Sequence, residues 1–281
     1  MQAELIWALG AQLGEGPVWL PEERCLWFVD IKRGALHRYT PESDARESFA
    51  IGGQPSFVVP AQGGGLIIGS ELSLLAFHPA EGTRPIAAVP AHRGDRTNDG
   101  CVDARGRLWF GTMDDGEQRE SGRIWCYDGS ARAVAGDCAI TNGPAVSADG
   151  AWLYHVDTLA GTLWRHPLRD DGSLGPETLF VQIPPSDGYP DGIVCDAEGA
   201  LWVALWGGAA AHRYAPDGRL VARVDLPTAQ PTKIAFGGDD LRTAFVTSAR
   251  VGLDPAAHPE AGGLFAFETD VPGFASHKVA R

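Results

Sequence analysis

The stretch "RLWFGT", residues 107–112, is a short apolar segment that follows a glycine turn and that the chain repeats. Its central Leu108 has equivalents at spacings of 40, 42, 45, 48 and 43 residues along the chain. Such a period indicates a fold built from one repeated supersecondary unit. The other copies are "CLWFVD" (25–30), "GLIIGS" (65–70), "WLYHVD" (152–157), "ALWVAL" (200–205) and "TAFVTS" (243–248).

Two further phrases accompany every copy, always in the same order. The phrases that follow are "ALHRY" (35–39), "LLAFH" (74–78), "RIWCY" (123–127), "TLWRH" (162–166), "AHRYA" (211–215) and "GLFAF" (263–267). The phrases that precede are "GEGPVW" (14–19), "QPSFVVP" (54–60), "TNDGCVD" (97–103), "TNGPAVS" (141–147), "YPDGIVC" (189–195) and "PTKIAFG" (231–237). Each repeat thus supplies three strands and room for a fourth.

Six units of four strands predict an all-β fold, a six-bladed β-propeller, as one domain over residues 1–281. A β-sandwich or barrel is the alternative, but even strand spacing alone does not explain three phrases recurring in order. The spare segment "ELIWAL" (4–9) is predicted to pair with the last blade and close the ring.

The amino-acid composition disfavours several classes of binding partner. The formal charge of −13 disfavours nucleic acid and anionic membrane surfaces. No stretch has the length of a membrane span, and the first residues lack the basic region of a signal peptide. Five cysteines without a C-x-x-C pair indicate free thiols. We therefore expect a cytoplasmic protein, either a monomer or a small homo-oligomer, with a small-molecule partner.

The first strand of each propeller blade lines the central channel, so residues that begin these strands converge on one mouth. Carboxylate and amide oxygens among them suit a hard divalent cation with positions left for water or substrate. The six strand starts are Glu15, Gln54, Asn98, Asn142, Asp191 and Lys233.

Position within the repeat separates two kinds of Pro-Asp-Gly. Asp217 lies at a hairpin between strands, as do the aspartates of "SADG" (147–150) and "DAEG" (196–199), and these we interpret as turn residues. Asp191 begins a channel strand instead, which makes it a candidate functional residue.

The chain resembles the SMP-30/gluconolactonase/regucalcin family of six-bladed propellers over nearly its whole length. The resemblance implies metal ligation by Glu15, Asn142 and Asp191, and substrate contacts from Arg96 and Asn98. Some members carry a sugar-binding glutamate after "GTM"; here Gly116 is assigned to that place, with Asp115 as a substitute. The motifs are "LGEGPVW" (13–19), "RTNDGCVDARGRLWFGTM" (96–113), "TNGPAVSADG" (141–150), "YPDGIVCDAEGALWVALWGG" (189–208), "TKIAFGGDDLRTAFVTSAR" (232–250) and "AGGLFAF" (261–267).

The activity expected from the resemblance is hydrolysis of sugar lactones such as xylono-, arabinono-, galactono- or gluconolactone. One divalent cation, with Ca²⁺ favoured and Zn²⁺, Mn²⁺, Mg²⁺ or Fe²⁺ as alternatives, polarises the carbonyl and a water. Asp191 is expected to accept the proton of that water as general base. The alternatives are an esterase or phosphotriesterase-like hydrolase and a calcium-binding propeller without turnover. No G-x-S-x-G motif is present, and His155 and His166 are interpreted as packing or surface residues.

Overall fold

The computed structural model describes residues 3–280 and shows six antiparallel four-stranded sheets. The strands of blades 1 to 3 are β2 (Gly14–Leu20), β3 (Cys25–Asp30), β4 (Ala35–Thr40) and β5 (Ala45–Ala50); β6 (Pro55–Pro60), β7 (Leu66–Ser70), β8 (Ser73–His78) and β9 (Gly82–Ala88); and β10 (Asp95–Val102), β11 (Leu108–Asp114), β12 (Gly122–Tyr127) and β13 (Ala131–Cys138).

The strands of blades 4 to 6 are β14 (Thr141–Val146), β15 (Trp152–Asp157), β16 (Thr162–Pro167) and β17 (Thr178–Gln182); β18 (Tyr189–Cys195), β19 (Leu201–Trp206), β20 (Ala210–Tyr214) and β21 (Leu220–Asp225); and β22 (Pro231–Gly237), β23 (Thr243–Ser248), β24 (Leu264–Glu268) and β1 (Glu4–Trp7). Short 3₁₀ helices span Ile31–Arg33, Pro41–Ser43 and Pro185–Asp187.

The six-bladed propeller is thus confirmed, and so is the closing strand. β1 pairs antiparallel with β24, with Glu4 opposite Ala266 and Leu5 opposite Phe265. The last blade is therefore completed by a segment from the other end of the chain, which leaves no unfinished blade at the seam.

The repeated apolar phrases are buried because each blade packs its faces against its neighbours. Trp27, Trp109 and Trp202 occupy equivalent places in the second strands, and all three are fully buried. Two of them also donate their indole N–H to an aspartate of the preceding hairpin: Trp109 to Asp103 at 2.8 Å and Trp202 to Asp196 at 3.0 Å. Asp196, predicted to be a turn residue, therefore also holds its blade together, and Asp103 does the same in blade 3.

A break in the ladder between first and second strands occurs near the start of every blade's first strand. The pairing register shifts between Glu15 and Val18 in blade 1, and equivalent shifts occur in the other five blades. A bulge of this kind bends the strand and re-aims a side chain that the ladder would hold elsewhere. In blades 3, 4 and 5 the shifts flank Asn98, follow Asn142 and flank Asp191.

The segment 269–280 leaves blade 6 and runs back to blades 2 and 3. Val279 donates its amide to Pro60 at 2.9 Å, and Ala280 donates to Gly106 at 2.9 Å. On the way, Phe274 and Ser276 line a cavity at the far ends of the first strands, opposite to the bulges. In the described part of the chain no helix is long and apolar enough to cross a membrane.

Candidate functional site

A cavity of about 410 Å³ opens at the bulged end of the channel. It is lined by five of the six predicted site residues, namely Glu15, Arg96, Asn98, Asn142 and Asp191. All five side chains are buried, although they come from four different blades. The sixth, Asp115, does not belong to the described lining.

Two carboxylates face each other in this cavity. Burial raises the pKa of Glu15, and the charge of Asp99 raises it further. The pKa of Asp191 is raised well above its usual range by burial, by the charges of Glu15 and Asp99, and by a hydrogen bond with Glu15. Like charges brought together away from water favour a bound proton or a bound cation.

The remaining charges at the centre are already paired. Lys233 donates its ammonium to the Asp99 carboxylate, and both side chains are buried. Arg96 donates to Asp115 at 3.0 Å. Within residues 3–280, Glu15 and Asp191 form no salt bridge with a basic side chain, and two buried carboxyl groups without such a partner match a divalent cation.

A third oxygen is supplied by Asn142, whose amide is fixed by a chain of hydrogen bonds. Asn142 donates from Nδ2 to Thr158 Oγ1 at 2.9 Å, and Thr158 donates to the carbonyl of Pro190 at 2.9 Å. Because Thr158 holds the amide nitrogen, Asn142 Oδ1 points away from it, where it accepts from Asn98 Nδ2 at 3.0 Å. The chain of bonds ends at Pro190, next to Asp191, so the two predicted ligands are positioned together.

The predicted substrate-contacting residues form a second network. Arg96 donates from Nη1 to Asn98 Oδ1 at 2.6 Å, which leaves the Asn98 amide nitrogen directed at Thr141 and Asn142. Burial lowers the pKa of Arg96, and Asp115 opposes that shift. A buried guanidinium held on two sides presents a fixed donor to the cavity.

Asp115 holds the side chain of Arg96 in place by accepting its hydrogen bond. It also accepts from Lys32 at 3.0 Å and from Gln54 at 3.1 Å. Burial acts to raise its pKa, but the hydrogen bonds from Gln54 and Lys32 lower it overall. The carboxylate is therefore ionised and occupied by three donors.

The sequence did not reveal the residues that the loops between second and third strands contribute to the cavity. One of them is Glu117, which lies in the same loop as Gly116 and Asp115, where some family members have a sugar-binding glutamate. The signal was present in the repeat: in antiparallel blades, the end of the second strand lies beside the start of the first. These loops contribute Lys32, Glu117, Thr158, Leu159 and Val251, and Trp206 at the end of β19 also lines the cavity.

A larger groove of about 740 Å³ lies between blades 1 and 6. Its carboxylates, which include Glu42, Asp239 and Glu268, are exposed and solvated. Exposed charges of this kind need no ligand. The channel mouth, where polar groups are buried and converge, is the stronger candidate.

Comparison with known proteins identifies relatives over nearly the whole chain. Residues 13–250 match the family model described as SMP-30/Gluconolactonase/LRE-like region. A 6-deoxy-6-sulfogluconolactonase of Pseudomonas putida is 37% identical over 94% of this chain and 93% of its own. A pentonolactonase of Haloferax volcanii is 33% identical over 93% of this chain and 92% of its own. The crystal structure of a calcium-binding protein, regucalcin, from Agrobacterium tumefaciens has a TM-score of 0.94 at 32% identity, over 98% of this chain and 96% of that one.

Proposed function

Because the chain belongs to the SMP-30/gluconolactonase/LRE-like family, we propose that it is a sugar lactonase that uses one divalent cation at the channel mouth. The observation that carries the proposal is the pair of buried carboxylates, Glu15 and Asp191, which share one cavity with the oriented amide of Asn142. The lactonases among its relatives support the substrate class.

Each residue has a distinct part in the proposed reaction. Glu15, Asn142 and Asp191 would hold the cation, which when bound supplies Lewis-acid polarisation of the lactone carbonyl and of a water molecule. Asp191 would accept the proton of the attacking water, because its buried carboxylate lies in the cavity beside the proposed cation. Arg96 orients the sugar through its ring or hydroxyl oxygens.

The cavity favours a small polar substrate. Its volume of about 410 Å³ accommodates a single sugar ring, and Arg96 and Glu117 offer a donor and an acceptor on its wall. Apolar side chains at the rim, Leu159 and Tyr189, are about half exposed and provide a surface for the less polar face of a ring. Pentonolactones and hexonolactones both fit this description.

The test is a panel of aldonolactones, aryl esters and organophosphates, with acid release as the readout, before and after chelation. We expect lactone hydrolysis that disappears on chelation and returns with Ca²⁺ or another divalent ion. Activity that survives thorough chelation contradicts the role of the metal, and a preference for esters or organophosphates contradicts the substrate class.

Asp191→Asn tests the general base. We expect turnover to be lost while the fold persists, as seen by circular dichroism. Asp217→Asn is the matched control, since Asp217 lies in the same Pro-Asp-Gly sequence but is exposed at a hairpin, where it accepts from the amide of Arg219 at 3.0 Å. Near-normal activity in Asp191→Asn contradicts the assignment.

A second candidate function is a calcium-binding propeller without turnover, favoured by the similarity to the regucalcin structure. It shares the cation site and differs in catalysis. Tight Ca²⁺ binding by a protein that hydrolyses no lactone of the panel selects this function over the first.

A further inference from the structure

Blade 4 carries a second cluster of metal-ligating side chains that shares no residue with the channel mouth. His155 lies on β15, His166 lies on β16, and Glu177 immediately precedes β17. Leu153 is opposite His166 in the ladder, so the two histidines are diagonal neighbours on one face. Their rings stack with centroids 5.3 Å apart.

The three donor atoms are at mutual distances typical of ligands around one ion. His155 Nε2 lies 3.0 Å from Glu177 Oε1, His166 Nε2 lies 3.3 Å from the same oxygen, and the two nitrogens are 3.3 Å apart. Four-coordinate zinc, with bonds of about 2.0–2.1 Å, separates its ligands by about 3.3 Å. The cluster therefore matches one face of a tetrahedron.

The hydrogen-bond partners of the two histidines indicate where their protons lie. Nδ1 of His166 lies 3.1 Å from the carbonyl of Gly175, which only accepts, so that nitrogen carries the proton and Nε2 presents its lone pair. A backbone carbonyl in this place is a common means of orienting a metal-binding histidine. Nε2 of His155 lies 3.0 Å from Glu177 Oε1, so an ion bound there would replace the proton that joins these two atoms.

Burial encloses two of the three donors. Both histidines are buried, and Nε2 of each ring is directed at the other ring and at Glu177. The partly exposed Glu177 leaves a path from solvent for the ion and for a water ligand.

We propose that His155, His166 and Glu177 form a second metal site for a zinc-class divalent cation, with its fourth position open to water. Two imidazole nitrogens and one carboxylate favour Zn²⁺ or a neighbouring transition ion over Ca²⁺. The channel site offers oxygen alone, so the two sites differ in the metals they prefer. The ion would join three strands of blade 4 and would take no part in lactone hydrolysis.

The test counts zinc bound to the full chain after chelation, reloading with Zn²⁺ and gel filtration. Glu177→Gln is the principal variant because its partly exposed side chain is replaced without opening the core. We expect it to bind zinc at the blade 4 site at least about tenfold more weakly than the unchanged protein, and His166→Gln to lose one equivalent. Asp191→Asn, which alters only the channel, retains that equivalent.

Co²⁺ provides a readout that identifies the ligands. Four-coordinate Co²⁺ with imidazole ligands absorbs visible light strongly, whereas six-coordinate Co²⁺ in an oxygen site absorbs weakly. We expect the strong band in the unchanged protein, in Asp191→Asn and in the control His37→Gln, which replaces a buried histidine of blade 1. The proposal is overturned if Glu177→Gln binds as much zinc as the unchanged protein, or if Asp191→Asn removes the strong band.

Discussion

The hydroxyl of Thr158 accepts a hydrogen bond from Asn142 Nδ2 at 2.9 Å and thereby decides which end of that amide faces the cavity. Asn142 lies near the start of β14, Thr158 follows the end of the adjacent antiparallel β15, and Thr158 in turn donates to the carbonyl of Pro190. Thr158 thus orients the side chain of Asn142, which we propose as a cation ligand, without being a ligand itself.

Thr158→Val removes this orientation with little change in volume. We expect the affinity for Ca²⁺ to fall by about 10–100-fold, because outer-shell partners of ligands have effects of this size. Isothermal titration of chelated protein measures it. Thr228→Val is the matched control, since the buried Thr228 hydroxyl has no partner within the described residues; equal affinities in the two variants contradict the role of Thr158.

The buried Lys233–Asp99 pair is expected to be costly to break from one side. Lys233→Met leaves the Asp99 carboxylate buried and unpaired, so we expect a loss of about 3–5 kcal/mol in the free energy of unfolding. Adding Asp99→Asn removes the stranded charge and is expected to recover part of that loss. Urea denaturation checks both.

Lys278→Met is the control for the buried pair. Lys278 reaches Glu22 at 2.7 Å, but both side chains are substantially exposed, so we expect a change below about 1 kcal/mol. A similar loss in both lysine variants shows that burial of the pair is not what matters.

We expect His37 to lower the stability of the folded protein as the pH falls. Burial lowers its pKa from 6.5 to about 4. Between these values the unfolded chain binds a proton that the folded protein does not, so the folded state loses about 3 kcal/mol as pH falls from 6.5 to 4. Above pH 6.5 the group contributes no pH dependence.

Unfolding free energies of the unchanged protein and His37→Gln at pH 7 and 4.5 measure this share. The variant is expected to lose less stability on acidification. His78→Gln, which replaces an exposed histidine, is expected to follow the unchanged protein. An identical acid sensitivity in His37→Gln contradicts the assignment.

Asp196 and Asp217 both lie in hairpin turns, but we expect them to contribute very differently to the free energy of unfolding. Asp196 is fully buried and accepts from the amides of Glu198 and Ala200, from Trp202 and from Arg213. Asp196→Ala is expected to cost about 3–5 kcal/mol because it leaves these donors unpaired. Asp217→Ala is expected to cost no more than about 0.5 kcal/mol. Thermal unfolding of both variants gives the comparison, and equal losses contradict it.

The repeat made the ring and the first layer of the site predictable. Because every blade begins at the channel, position in the repeat predicts that Glu15, Asn98, Asn142 and Asp191 converge, and the cavity contains all four. The choice of Glu15, Asn142 and Asp191 as ligands rests on the family resemblance. The loop layer was less accessible: Glu117 reaches the cavity with a left-handed backbone (φ 56°), and such local turns are not set by the strand period. Thr158 was hidden because its effect runs through a hydrogen bond to another side chain.

The seam of the ring has a consequence for how long the folded protein lasts. Within residues 3–280 blade 6 is completed by β1, and the segment 269–280 reaches across to Pro60 and Gly106 through backbone hydrogen bonds and the buried side chain of Val279. Glu15 lies in the blade after this seam and Asp191 in the blade before blade 6. The proposed cation, held by both carboxylates, would connect the blades on either side of blade 6. We therefore expect the cation-loaded protein to unfold more slowly than the chelated protein, so that the lifetime of the native state depends on the proposed catalytic site.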